Sequence, residues 1–447
     1  LGKAEDISKI AKKLLIEPCD ADEIISFAVR AGYCPYFLSK LLLEKVGIVI
    51  CSYHWLFNPD IKEVFLKFIN TDLSNCILIN DECHNILSMA TEVNSKRITP
   101  FILKLALKDL ELYNSDRNMI NLVRILIAHL ENKQKNLNIE ERELNPEILV
   151  KNLYEKIGLK DLNSFKILIK ELKEFSSYVA EIKSSQGLVQ RDYIGSIAKY
   201  WLKWLEVLDN ERFFFCYNLR TTRDGNKNIS MEIVALDPRE ITVPVFKKAF
   251  STLSLSGTVN PYVYTNLMGL NETGKATKVI VSPSPFPKKN IKALIIENVN
   301  TKKENRNAQT YKKMVYKIEE VIYCTPGNVG VFCASYNVLK ALLKQDIEQI
   351  VQKYNKILFV EDSNISAAEN AVMIEKFKNE GKNTGAVLLG VCGGRNSEGE
   401  DYPAEFMNSV VIAGFPYHVP TPRVNAKIKY YDNVFNKKGW IFGYLYP

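Results

Sequence analysis

The chain has 447 residues, more than one ordinary core accommodates, so its length points to about two to four domains. Apolar residues make up 47% and charged residues 25%, a composition that excludes a disordered chain, and no apolar run approaches the ~20 residues needed to span a bilayer. The net charge of +8 favours a polyanionic partner, while nine scattered cysteines without a C-x-x-C pair argue against a secreted disulfide framework and a zinc ribbon. Leu1-Gly2-Lys3-Ala4 shows no signal-peptide pattern, so the expectation is an intracellular protein, cytoplasmic or at the nucleoid, or nuclear in a eukaryote.

In chain order, residues 46–51 and 76–80 read as short strands separated by a helix near 61–69, the texture of an α/β layer. The second run continues as Cys76-Ile77-Leu78-Ile79-Asn80-Asp81-Glu82-Cys83-His84. An apolar strand ending in Asp-Glu is where a nucleotide-hydrolysing enzyme needs two carboxylates. Asp81 would hold magnesium, a hard cation that prefers carboxylate oxygen and keeps most of its water. Glu82 would orient and deprotonate the attacking water. His84 would hydrogen-bond toward the neighbouring domain and sense the γ-phosphate. The bland alternative is an ordinary strand exit followed by a loop histidine satisfied by backbone.

From about residue 97 to 208 the chain is rich in Leu, Ile, Lys and Glu with almost no strand signal. Asn145-Pro146-Glu147 reads as a helix start, with Asn as cap and Pro in the first turn. Ile194, Ile197, Trp201, Trp204 and Leu208 recur at helical spacing, giving one apolar face. The stretch is a helical insertion of roughly a hundred residues.

Strand texture returns at 213–217, 231–236 and 253–258. The final third alternates strands (293–297, 330–335, 357–360, 386–391, 410–415) with helices (311–323, from 337, 367–379), the pattern of a parallel doubly wound domain. Ser256-Gly257-Thr258 sits at a strand end, where small hydroxyl residues can exchange hydrogen bonds with nucleotide state or simply make a turn. The loop Gly393-Gly394-Arg395-Asn396-Ser397-Glu398-Gly399-Glu400-Asp401 permits close backbone approach to a ribose or phosphate, with Glu398 and Asp401 as acceptors beside Arg395; an exposed hairpin is the alternative.

Taken together, these residues resemble the XPD family of DNA helicases. Gly32-Tyr33-Cys34-Pro35-Tyr36-Phe37 and Ile50-Cys51-Ser52-Tyr53-His54-Trp55-Leu56-Phe57-Asn58-Pro59 are similar to the stretch between the family's iron-sulfur module and its acidic box. The Asp-Glu-Cys-His box, Ala235-Leu236-Asp237-Pro238, Leu255-Ser256-Gly257-Thr258, Ser284-Pro285-Phe286-Pro287, the Ser335-Tyr336 ending of 332–336, and Ser397-Glu398-Gly399-Glu400-Asp401 then follow in family order.

The resemblance implies an α/β superfamily 2 enzyme, with two RecA-like motor domains, an inserted helical arch domain and a remnant of an iron-sulfur domain. The corresponding boundaries are 1–38 for part of the iron-sulfur domain, 39–95 and 210–262 for motor domain 1, 96–209 for the arch, and 263–447 for motor domain 2. It further implies ATP and magnesium as cofactors, bound between the motor domains. Asp81, Glu82 and His84 would be catalytic, with Ser256, Gly257, Thr258, Gly394, Glu398, Gly399 and Asp401 in nucleotide binding and interdomain linkage. The implied partners are single-stranded DNA, forked duplex DNA and repair-complex proteins, with no membrane. The implied activity is 5′-to-3′ unwinding, as in nucleotide-excision repair. The runner-up readings are a nonhydrolytic strand-binding or scaffold paralogue and a DinG-like helicase.

Cys34 matches the last of the four cysteines that hold the family's four-iron four-sulfur cluster. No other cysteine matches a family ligand, the G-x-x-x-x-G-K-[ST] phosphate loop has no counterpart, and the family's arginine-bearing final helix is not present. These parts are expected in the flanks of a longer protein.

Overall fold

The computed structural model describes residues 14–16, 19–188, 191–221, 226–299, 303–398, 400–416 and 420–445. The chain forms two compact units, Leu1–Val281 with Pro420–Pro447, and Ser282–Val419. No helix among the described residues is long and apolar enough to cross a membrane.

The first unit opens with helices α1 (Ala21–Arg30) and α2 (Pro35–Leu43). Asp20 accepts from the Glu23 amide and Glu23 returns the bond, a reciprocal cap that fixes the start of α1. Leu38 and Leu42 cluster with Ala28. Helices α3 (His54–Phe57) and α4 (Pro59–Phe68) lead to strand β1 (Ile77–Asn80), and α5 (Asn85–Asn94) follows.

Strand β2 (Lys96–Ile98) then enters the insertion, made of α6 (Pro100–Leu112), α7 (Arg117–Asn136), β3 (Glu141–Glu143), α8 (Pro146–Ile157), α9 (Leu162–Ser185) and α10 (Tyr193–Glu206). At α8 the cap is the one the sequence specifies: the Asn145 side chain accepts from the Ile148 amide at 2.9 Å, and Pro146 opens the helix. Ile194, Ile197, Trp201 and Trp204 of α10 are fully buried in the module's core, with Leu208 packed at its edge.

Strands β4 (Phe213–Thr221) and β5 (Lys227–Ala235) form an antiparallel sheet with the order β2-β5-β4-β3. The sequence places this return in motor domain 1, and the structure makes it a partition. Successive strand residues point to opposite faces, so Phe213, Phe215, Tyr217 and Leu219 pack with the helical insertion while Phe214 and Cys216 pack into the core that holds Leu78 and Cys83. Helix α11 (Arg239–Lys248), strand β6 (Ser251–Ser254) and helix α12 (Pro261–Leu267) follow, with β6 parallel to β1.

Residues 46–51, expected as a strand, are irregular, with Ile48 and Ile50 exposed. An apolar run becomes a strand only where a ladder partner satisfies its amides and carbonyls, and β1 pairs only with β6 among the described residues.

The second unit contains α13 (Ala308–Cys324), β7 (Val329–Cys333), α14 (Tyr336–Leu343), α15 (Ile347–Lys353), β8 (Ile357–Val360), α16 (Ala367–Glu380), β9 (Ala386–Val391) and β10 (Ser409–Ala413). Its sheet is wholly parallel with the order β10-β7-β9-β8. Both central strands, β7 and β9, are buried along their whole length, as a sheet covered by helices on both faces requires. The strand expected at 293–297 is absent: those residues are irregular and Ile295 lies almost fully in solvent.

Helix α17 (Pro422–Val434) belongs again to the first unit. Its Arg423 is held by two buried carboxylates of the partition sheet. The Arg423 amide donates to Glu141 Oε1 at 2.6 Å, Nε donates to Glu141 Oε2, and Nη2 donates to Glu232 Oε2 at 2.8 Å. Burial alone would raise the Glu232 carboxyl, but the Ser230 hydrogen bond and the Arg423 charge outweigh it and hold the group below its ordinary range.

Candidate functional site

The acidic box lies where β1 ends. Parallel pairing of β1 with β6 sets Asn80 beside Ser254, and two further backbone bonds continue the ladder past the strand ends: Leu255 N–H to Asn80 O at 2.8 Å and Cys83 N–H to Leu255 O at 2.9 Å. The loop after β6 is thereby stitched to the loop after β1. This register, set 170 or more residues away in sequence, brings Ser256 to the acidic box.

The resulting cluster is compact. His84 Nδ1 lies 2.9 Å from Ser256 Oγ and 3.3 Å from Glu82 Oε2, and Ser256 Oγ lies 3.5 Å from the same carboxylate oxygen. The Thr258 amide donates to Ser256 Oγ at 3.3 Å, which fixes the turn containing Gly257. His84 therefore engages Ser256 within its own unit. Glu82 holds a left-handed backbone conformation (φ 48°), uncommon for a residue with a Cβ, and both Asp81 and Glu82 side chains are exposed.

Several residues brace this loop from beneath. Cys83 is 1% exposed and packs in the core, so the third position of the box acts as an apolar anchor; burial pushes its thiol up. The Tyr53 hydroxyl donates to the Asp81 carbonyl. Tyr264 OH donates to Ser254 Oγ at 3.1 Å, and Asn80 Nδ2 donates to the same oxygen at 3.3 Å. Asp237, from the Ala-Leu-Asp-Pro motif, is fully buried and gripped by the Arg239 guanidinium through contacts of 2.6–3.0 Å, a structural brace.

The second unit carries the glycine-rich turn after β9. Gly393 has φ +71°, and a Cβ on Gly394 would lie 2.3 Å from Glu361 Oε1, so the turn requires glycine at both positions. Asn396 is fully buried; its Nδ2 donates to Glu361 Oε2 at 3.2 Å and its Oδ1 accepts from Asn370 at 2.8 Å. Glu361, just past β8, also accepts from Tyr336 OH at 2.9 Å and from the Val391 amide at 3.5 Å. Burial, and then the Glu361 carboxylate, push the Tyr336 phenol up to about 12. Glu398 and Asp401 are exposed beyond the turn, and Gly399 lies outside the described residues.

Glu361 is the residue that sequence reasoning missed. Its only signal was a carboxylate directly after the apolar strand 357–360, the same strand-then-acid pattern that marked Asp81.

Among the described residues no three His, Cys, Asp or Glu side chains converge on a metal-sized site. Magnesium is compatible with this, because it takes one or two protein carboxylates and completes its shell with water and phosphate oxygens, which the exposed Asp81 and Glu82 carboxylates permit. Cys34, expected to ligate an iron-sulfur cluster together with cysteines from the flanks of a longer protein, is an exposed thiol at the start of α2, and Cys19 contacts the Leu14 carbonyl.

Comparison with known proteins places both halves of this geometry in helicase sequence. The DEAD_2 model matches residues 2–103, which include the acidic box, and the Helicase C-terminal domain model matches residues 318–446, which include Glu361 and the glycine-rich turn. These two matches place helicase-type sequence on either side of the helical insertion. The chain is similar to ATP-dependent DNA helicase CHL1 of Debaryomyces hansenii, 23% identical across 94% of this chain and 53% of that protein. The CHL1 helicase of Kluyveromyces lactis is 24% identical across 90% of this chain and 50% of its own length. The chain thus spans about half the length of the curated relatives it matches. Among solved structures, an XPD helicase aligns with a TM-score of 0.55 and 16% identity over 96% of this chain and 71% of that one, and S. tokodaii Xpd4 with 0.57 and 18% over 92% and 77%. The fold is accordingly α/β with two RecA-like domains and helical insertions. The relatives carry the name CHL1, so the excision-repair assignment is not what they support.

Proposed function

We propose that this chain is the motor of an ATP-dependent DNA helicase of the CHL1 type, translocating 5′ to 3′ on single-stranded DNA and opening forked duplexes. The observation that carries the reading is the junction of Glu82 and His84, within the segment that matches DEAD_2, with Ser256 at the end of the paired parallel strand.

In this mechanism Asp81 would hold magnesium, which would supply the positive charge that offsets the phosphates of ATP. Glu82 accepts a proton from the attacking water as its oxygen bonds to the γ-phosphorus; the bond to the β-bridging oxygen breaks, and ADP and phosphate leave. His84 and Ser256 hold the Glu82 carboxylate in place and link its position to the loop after β6. Gly394, Glu398, Gly399 and Asp401 serve as the second unit's nucleotide-binding residues. DNA is held mainly at its phosphates, consistent with the net charge of +8. In a eukaryotic cell such an enzyme works in the nucleus.

The test is ATP hydrolysis by the full-length protein with and without single-stranded DNA, together with unwinding of duplexes bearing a 5′ or a 3′ overhang. Stimulation by DNA and preference for the 5′ overhang support the reading. Hydrolysis indifferent to DNA, or a 3′ preference, contradicts it.

A further inference from the structure

The helical insertion contains a cleft of about 360 Å³ that the acidic box does not use. Its floor is made by Val179, Lys183 and Ile194, all buried, with Asp109 of α6 alongside. Lys183 Nζ donates to Asp109 Oδ2 at 2.7 Å. A desolvated ion pair is a costly way to build a wall unless its remaining donors and acceptors find partners. Among the described residues Asp109 Oδ1 accepts no bond, and Lys183 has donors left after its bond to Asp109. The pair thus lines the cleft with an adjoining donor and acceptor and no net charge.

The other charges divide cleanly. Both Asp192 oxygens are committed, Oδ1 to the Gly195 amide at 2.6 Å and Oδ2 to Ser176 at 2.8 Å. Arg191, at the exposed rim, has no ion-pair partner among the described residues. The cleft therefore pairs aliphatic walls and a neutral donor-acceptor edge inside with a guanidinium at its rim that no carboxylate contacts among the described residues, the Asp192 oxygens being turned to Gly195 and Ser176. A flat heterocycle with a hydrogen-bonding edge suits the interior, and a phosphate suits the guanidinium. The volume is at the small end of ligand sites and matches one base with its sugar.

We propose that this cleft binds one nucleotide, its base edge on the Lys183–Asp109 pair and its phosphate on Arg191. The nucleotide is either free or part of a single strand. The proposal is independent of the motor reading, because none of these residues belongs to the acidic box or to the glycine-rich turn.

The experiment is methyl NMR of the 447-residue chain labelled at Ile, Leu and Val, titrated with AMP, CMP, GMP, UMP, adenosine, inorganic phosphate and a short oligothymidylate. Signals of Val179, Leu188 and Ile194 report the cleft directly, whatever binds at the motor site. They are expected to shift with nucleotides. Arg191→Ala should weaken the phosphate-bearing nucleotides about tenfold while leaving adenosine unchanged. Ala180→Trp, at an exposed rim position, should abolish every shift while the remaining methyl spectrum stays native. Tighter binding of the oligothymidylate assigns the site to a strand, and tighter binding of a monophosphate assigns it to a free nucleotide. The proposal is overturned if all three residues stay unmoved by every probe, if Ala180→Trp leaves the shifts intact, or if inorganic phosphate alone reproduces them.

Discussion

His84 Nδ1 and Ser256 Oγ, 172 residues apart in the chain, sit 2.9 Å apart because β1 and β6 are parallel neighbours whose ladder continues into both loops. The same imidazole nitrogen is 3.3 Å from Glu82, so the position of the proposed base depends on a serine from a distant strand. Ser256→Ala removes the hydroxyl contacts with His84, Glu82 and the Thr258 amide at a half-buried position, a loss of about 1 kcal/mol. Melting should shift by no more than about 2–4 °C. DNA-stimulated ATP turnover of the full-length protein should nevertheless fall about tenfold, with Ser256→Thr retaining most of it. Steady-state hydrolysis measured beside differential scanning fluorimetry separates these two effects.

Glu361 should matter for both stability and nucleotide affinity. Glu361→Ala leaves the Tyr336 hydroxyl, the Asn396 amide and the Val391 N–H without their common acceptor. Buried donors without partners are expensive, so unfolding free energy should drop by roughly 3 kcal/mol in urea denaturation. Gly394→Ala tests the same contact from the other side, because its Cβ must displace Glu361 or the turn. In the full-length protein its expected signature is a raised KM for ATP with a smaller change in kcat.

The Arg423 clamp predicts a pH dependence with a definite sign. The Glu232 carboxyl is held below its ordinary value of 4.5, so its contribution to stability is complete above that pH and is lost as pH falls through the lower folded value. Arg423→Met leaves Glu141 and Glu232 buried without a cation and should cost about 3–5 kcal/mol near pH 7. In that variant the Arg423 charge and hydrogen bond no longer lower the Glu232 carboxyl, so it protonates more readily than in wild type and the deficit should shrink on acidification. Adding Glu141→Gln and Glu232→Gln should recover much of the loss. Urea melts at about pH 4 and pH 7 measure all of this; a deficit that grows on acidification contradicts the assignment.

Thiol reactivity follows burial. Cys216 and Cys333 are buried, and burial pushes both thiols up to about 12, so almost no thiolate forms near pH 8. Cys34 and Cys324 are exposed. Brief iodoacetamide treatment of the native chain followed by peptide mass spectrometry should modify Cys34 and Cys324 and spare Cys216 and Cys333. In the full-length protein, protection of Cys34 together with visible absorbance lost in Cys34→Ser would support Cys34 as a cluster ligand.

The legibility of this chain divides along the range of the interactions involved. The Asn145-Pro146 helix start and the box at 81–84 were readable because caps and strand-end carboxylates are written in neighbouring residues. The final parallel sheet was readable because its central strands are unbroken apolar runs. Residues 46–51 and 293–297 carry the same apolar texture yet form no strand, since texture does not say whether a partner edge exists. Glu361 gained its role from Tyr336, Val391 and Asn396, each 25 or more residues away, and Arg423 from carboxylates 191 and 282 residues away. Such pairings are set by packing, and a single sequence gives them no local mark. The partition made by β4 and β5 escaped the domain reading for the same reason: a strand buried on both faces belongs to two cores at once.

The most direct test of the motor assignment is the Glu82→Gln variant of the full-length protein. Glutamine keeps the shape beside His84 and Ser256 but does not accept the proton from water. The predicted result is ATP binding close to wild type, measured with a fluorescent ATP analogue, with single-strand-stimulated hydrolysis reduced by at least about a hundredfold. Hydrolysis at the wild-type rate would show that Glu82 is not the base and that the strand-end carboxylates do not form the catalytic centre.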